Sequence, residues 1–159
     1  MKHLVPAIAL LLAGCATGEP ARPTADTSAP ILRIMADADA NDRRPVAVDV
    51  VRVADAALAR RIGMLDAATW FRERAALHGE SAGRIAIASW EMVPGQSVIL
   101  RSLPPFAAPP SATPSATVVF ARYGTPGAHR HMLDGAAALD VRLGRDAFTV
   151  VPLTKESAP

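Results

Sequence analysis

From residue 31 onward, short runs of alternating apolar and polar residues are separated by turn formers. The run at 31–35, Ile-Leu-Arg-Ile-Met, predicts a short strand. Val46–Val53 is the clearest strand. Val46, Val48 and Val50 point one way, Asp49 lies on the other face with Val51, and the β-branched content suits a pleated surface. Ile85–Met92 alternates again, with Ile85 and Ile87 opposite Ala86, Ala88 and Trp90. Strands are also expected over 97–103, 117–123, Leu139–Leu143 and 148–153, the last two joined as a hairpin by Gly144-Arg145-Asp146. Residues 55–78 break the β pattern. Asp55 can cap a helix whose Leu58, Ile62 and Leu65 share a face, and Asp66 a second helix through Trp70, Phe71, Arg74 and Leu77. Short strands with turns between them imply an all-β sandwich carrying one helical insertion.

The first fifteen residues follow a different logic. Lys2 and His3 are polar, 4–12 is apolar apart from Pro6, and Leu12-Ala13-Gly14-Cys15 closes the segment with small residues. This is the layout of a secretory signal peptide. The apolar run falls short of the roughly 20 residues that span a bilayer. Its ending resembles the lipobox of bacterial lipoproteins, in which the cysteine is acylated, with palmitate among the chains, and becomes the first mature residue. Several acyl chains satisfy the requirement of more than one for stable anchoring. In those lipoproteins an aspartate after the cysteine favours the inner membrane; Ala16 here implies the outer membrane, with the domain on its periplasmic face. Cys15 is the sole cysteine, so no internal disulfide can form. Residues 16–30, rich in Ala, Thr, Pro and Ser, read as a tether that spans on the order of 50 Å when extended. The expected organisation is a signal peptide over 1–14, lipidated cysteine and tether over 15–30, a β-sandwich domain over 31–153 and a frayed tail over 154–159.

A formal net charge of +2, with no dense basic cluster interleaved with aromatics, argues against nucleic-acid binding. Catalysis has little support. G-x-S-x-G is absent, and Pro126 removes an N–H that a phosphate cradle would need in Gly124-Thr-Pro-Gly127. Asp49, Glu91 and Asp140 read as solvent-facing strand positions rather than a catalytic pair. No cofactor is implied. His129 and His131, spaced to face one way in an extended segment with Asp134 nearby, are weak metal candidates in a loop, since closed sites need about four ligands. Trp70 and Phe71 occupy adjacent helical positions and cannot both face one way. One packs on the sheet, and the other is free to anchor a partner. The charged stretch at 36–44 reads either as a solvated hairpin turn or as a recognition loop held by two strands.

A lipobox, a Pro-rich tether and a short strand precede Asp39-Ala-Asn41-Asp-Arg-Arg-Pro45, which leads into Val46–Val53. Glu91-Met-Val-Pro-Gly95 and Val118-Val-Phe-Ala-Arg-Tyr123 follow. This order resembles the TssJ-type outer-membrane lipoprotein of type VI secretion systems. Val53-Ala54 stands where that family usually has an aromatic, His131 stands near an expected tryptophan, and the helical segment is long. The resemblance implies a transthyretin-like β-sandwich without catalytic activity. It also implies a protein that anchors a trans-envelope complex by binding the periplasmic C-terminal region of a large inner-membrane partner. Loops at one end of the sandwich make that contact. By position the contact residues are Asp39, Asn41, Arg43 and Arg44; Trp70 and Arg74 are added from the reading of the insertion. The alternative is a free-standing periplasmic ligand- or metal-binding lipoprotein, or a lipoprotein of another envelope machine.

Overall fold

The computed structural model describes residues 31–107, 114–134 and 138–153. The signal segment, Cys15, the tether, residues 108–113 of the proline-rich stretch and the tail lie outside the described residues. Among the described residues the strands are β1 (Leu32–Ala36), β2 (Val46–Val53), β3 (Ile85–Met92), β4 (Ser97–Leu100), β5 (Ala116–Arg122), β6 (Arg130–Asp134), β7 (Leu139–Leu143) and β8 (Phe148–Pro152). One sheet has the order β4-β1-β7-β8, the other β3-β2-β5-β6. β1 runs parallel to β7, and the remaining pairs are antiparallel.

The expected sandwich is present, and the alternation of β2 explains how it is filled. Val46, Val48 and Val50 meet Leu32 and Ile34 of β1, Val119 and Ala121 of β5, and Val141 and Leu143 of β7 between the sheets. Val51 and Val53 face the other way, into a second core with Ile85, Val118 and Phe120. That core is closed by α2 (Ala56–Gly63) and α3 (Ala67–Glu80) through Ile62, Trp70 and Leu77. The insertion is therefore a third layer, which explains why β2 and β5 are buried on both faces. Both helices start at the expected caps: Asp55 Oδ1 accepts from Leu58 N, and Asp66 Oδ1 from Thr69 N, each at 2.7 Å. The second bond holds the Asp66 carboxyl below the usual carboxylate range.

Four expectations need correction. The segment 36–44 is not a hairpin turn, because β1 and β2 belong to different sheets and the segment crosses between them. β4 stops at Leu100 rather than continuing to 103. The chain leaves the sheet so that Leu103 packs into the inter-sheet core and Phe106 is buried, with Arg52 over its ring at 5.0 Å. Only one histidine of the pair lies in a loop: His129 precedes β6, whereas His131 is on that strand, paired with Val119 of β5. Asp49 is not solvent-facing. It is 1% exposed beneath α3, where Arg74 Nη1 donates to its two oxygens at 2.9 and 2.7 Å and Trp70 Nε1 donates at 2.8 Å. Of the other two carboxylates, Glu91 is exposed, and Asp140 pairs across the sheet with Arg33, its register neighbour.

Candidate functional site

The end of the sandwich where β1 crosses to β2 gathers three connections: 37–45, 124–129 and 144–147. The crossover contains the four-residue turn α1 (Ala40–Arg43), and its backbone is left-handed at Asn41 (φ 47°, ψ 41°), Asp42 (φ 55°, ψ 45°) and Arg43 (φ 62°). Consecutive left-handed residues cost roughly 1–2 kcal/mol each for side chains other than glycine, and asparagine and aspartate tolerate them best. Such a turn persists only where its surroundings determine it.

Asn41 does much of that. It is almost wholly buried. Its Nδ2 donates to Pro45 O at 2.9 Å, its Oδ1 accepts from Gly124 N at 2.8 Å, and its backbone N–H reaches Gly144 O at 3.2 Å. One residue thus ties all three connections. Asp42 and Arg145 form an ion pair at 2.9 Å, Arg142 holds Asp37 at 3.0 Å, and Thr125 Oγ1 donates to Asp146 O at 3.0 Å. Tyr123 supports the turn from below, its hydroxyl donating to Gly144 O (3.2 Å) and Ala147 O (3.0 Å). Burial, with the carboxylates of Asp37 and Asp146 nearby, pushes the ionisation of this phenol well above its ordinary value, so it stays a donor.

Beside the turn lies a cleft of about 410 Å³ lined by Asn41, Arg44, Ala47, Glu91, Arg122 and Tyr123, among others. Arg44 lies against Gly124 so closely that a Cβ there would sit 3.0 Å from its Nη2, and its Nε donates to Asn41 O at 3.3 Å. Arg43, Arg44 and Arg122 are exposed and form no ion pair among the described residues, in contrast to Arg142 and Arg145. The end therefore presents a strained, internally braced turn beside a cleft lined by the guanidinium groups of Arg44 and Arg122 and the carboxylate of Glu91.

The structure divides the residues singled out from the sequence. Asp39, Arg43 and Arg44 are exposed on the crossover. Asn41 lies beneath them as a brace, with its amide used internally. Trp70 is a correction: its indole is fully buried, stacked on Phe120 at 4.9 Å, and cannot meet a partner in this fold. Phe71 is the partly buried neighbour, with Arg74 over its ring at 5.0 Å. Arg74 is 41% exposed, but its guanidinium is spent on Asp49. Neither residue belongs to the crossover end. His129 has a left-handed backbone, stacks on Tyr123 at 4.8 Å and places Nε2 2.9 Å from Thr125 O, whereas His131 lies on β6. The two are therefore not adjacent same-face positions of one strand. Among the described residues no group of three or more His, Cys, Asp or Glu side chains gathers to hold a metal. Sequence reasoning missed Tyr123, Gly124 and Arg122; the Arg-Tyr-Gly ending of β5 was the available signal.

No family model matches the chain, and no curated protein matches it in sequence. Solved structures do. The crystal structure of the type VI secretion (T6SS) lipoprotein TssJ1 from Pseudomonas aeruginosa aligns with a TM-score of 0.58 at 17% identity, over 80% of this chain and 95% of that one. The chain has the fold of the TssJ-type lipoproteins. A chain of a type VI membrane complex aligns at 0.55 with 20% identity, over 76% of this chain and 95% of its own. Lip of Serratia marcescens, a membrane-bound component of the type VI secretion system, aligns at 0.52 with 15% identity, over 78% and 96%. At these identities the TssJ-type likeness is one of architecture, carried by the sandwich itself.

Proposed function

We propose that this chain is a non-catalytic outer-membrane lipoprotein of a type VI secretion membrane complex. It is held by lipid on Cys15 and binds the periplasmic C-terminal region of a large inner-membrane partner through the crossover end. The observation that carries the reading is the shared architecture, which accounts for nearly the full length of a lipoprotein, a membrane-bound component and a membrane-complex chain of that system. The order of lipobox, tether and sandwich supports it. So does the braced turn, since strain maintained in a left-handed segment is a feature of ligand-facing sites. Asp39, Arg43 and Arg44 are the proposed contacts, and Asn41 sets their geometry.

Two measurements test this. Cys15→Ser is expected to remove the protein from the outer-membrane fraction and abolish secretion; the variant still fractionating with the outer membrane would sink the anchor. The double change Arg43→Glu and Arg44→Glu is expected to weaken partner binding at least about tenfold, since two charge-assisted contacts of more than 1 kcal/mol each are reversed. Co-purification from detergent-solubilised envelopes with Cys15 intact supplies the partner. Recovery of a large inner-membrane protein that the double variant loses supports the reading, and unchanged affinity moves the contact away from the crossover.

A further inference from the structure

The edge of β3 is unlike the other sheet edges. Ala54 N donates to Arg84 O at 3.0 Å, which continues the β2–β3 ladder by one bonded pair. Bonded and non-bonded pairs alternate along an antiparallel ladder. Ala86, Ala88, Trp90 and Met92 therefore direct their backbone groups at β2, and Ile85, Ile87, Ser89 and Glu91 direct theirs away from it. Among the described residues, nothing accepts or donates to those outward groups. The other edges are blunted in ways proteins use against pairing. β4 has four residues, β6 carries Arg130 and His131, and β8 ends in Pro152. β3 has eight residues, no proline, lysine or arginine, and one charge, Glu91.

We infer that the β3 edge pairs antiparallel with β3 of a second copy of this chain, joining two β3-β2-β5-β6 sheets into one continuous sheet about a two-fold axis at Ala88. Charge fixes the direction. The strand is entered from exposed Arg84, whose contact with Asp55 is a loose 3.7 Å, and Glu91 lies near its far end. Antiparallel pairing brings Glu91 of each copy beside the basic end of the other, whereas parallel pairing would stack glutamate on glutamate. In this register Trp90 lies opposite Ala86 of the second copy and Ala88 opposite itself, so large meets small. On the helical face, Ile87 of the second copy comes opposite Ser89. It enters the groove of about 330 Å³ lined by Arg74, Ala75, His78, Ile87 and Ser89 that opens along this edge. The symmetry is that of the commonest soluble oligomers.

The register makes a sharp test possible. The Ser89 N–H points outward, so Ser89→Pro removes no bond of the fold while blocking the edge. Full-length protein with Cys15 intact, purified in detergent, is expected to sediment with a concentration-dependent two-chain mass once the detergent is matched out. Ser89→Pro should weaken that association at least about tenfold, because the axis doubles each lost donor, while Ser89→Thr preserves it. A one-chain mass at every concentration overturns the inference, as does a dimer that Ser89→Pro leaves intact. Should Ser89→Pro not fold, Ala88→Cys is decisive. A non-bonded antiparallel pair sets Cα atoms about 4.5 Å apart, within disulfide range. A covalent dimer on non-reducing gels of whole envelopes supports the pairing, and its absence under added oxidant overturns it.

Discussion

Trp70→Ala is expected to lower stability by about 3–5 kcal/mol, the usual cost of removing a large buried aromatic. The effect should sit at the upper end, because Trp70 stacks on Phe120 and also gives Asp49 one of its donors. Phe120 is the register neighbour of Asp49, so indole, phenyl ring and carboxylate form one contact between α3 and the sheet. Trp70→Phe keeps a ring on Phe120 but loses the N–H and part of the indole's volume, which should cost about 2–3 kcal/mol. Arg74→Ala leaves a carboxylate buried with a single neutral donor, and one-sided removal from a buried pair costs about 3 kcal/mol or more. Chemical denaturation of the three variants, with unchanged m-values, checks the ordering. If Trp70→Ala cost less than Trp70→Phe, the indole would not be what seats the helical layer.

Asn41→Ala is the second large effect. It removes the acceptor of Gly124 N and the donor to Pro45 O, and it places alanine at a φ of 47°. A lost pair of part-buried bonds together with left-handed backbone strain comes to about 2–4 kcal/mol. Asn41→Gly loses the same bonds without the strain and should be milder by about 1 kcal/mol. If both variants also lose partner affinity while Arg43 and Arg44 are intact, the turn's shape and not only its charge is recognised. Equal stabilities for Ala and Gly would show that the bonds, rather than the backbone, dominate.

How much was legible in the sequence depended on whether the determining contact was local. The alternation of β2 and β3 and the two aspartate caps are local, and their elements matched closely. The two faces of β2 were also readable, but what covered them was not. Valines at 46, 48 and 50 require a core, whereas nothing in Val-Asp-Val-Val says that Asp49 lies under a helix from residues 67–80. β6 was missed because Arg-His-Met-Leu-Asp carries no clean alternation and is held by pairing with β5. The left-handed turn was invisible for a related reason. Asn-Asp-Arg tolerates that backbone, but Pro45, four residues from Asn41, and Gly124 and Gly144, far along the chain, impose it. The contact residues of the crossover were legible as a charged loop, and their bracing was not.

The pairing of β1 carries a mechanical consequence. β1 lies inside its sheet, bonded to β4 on one side and β7 on the other; residues 16–30, proposed above as a tether, come before it in the chain, and the crossover follows its last residue. A pull entering through the tether and resisted at the crossover runs along the strand axis. The backbone of β1 then carries the force directly, and whatever share passes to the neighbouring strands loads both ladders in shear rather than peeling them one bond at a time as at a sheet edge. Under the function proposed above, this strand would join the two points of attachment and carry the tension between them.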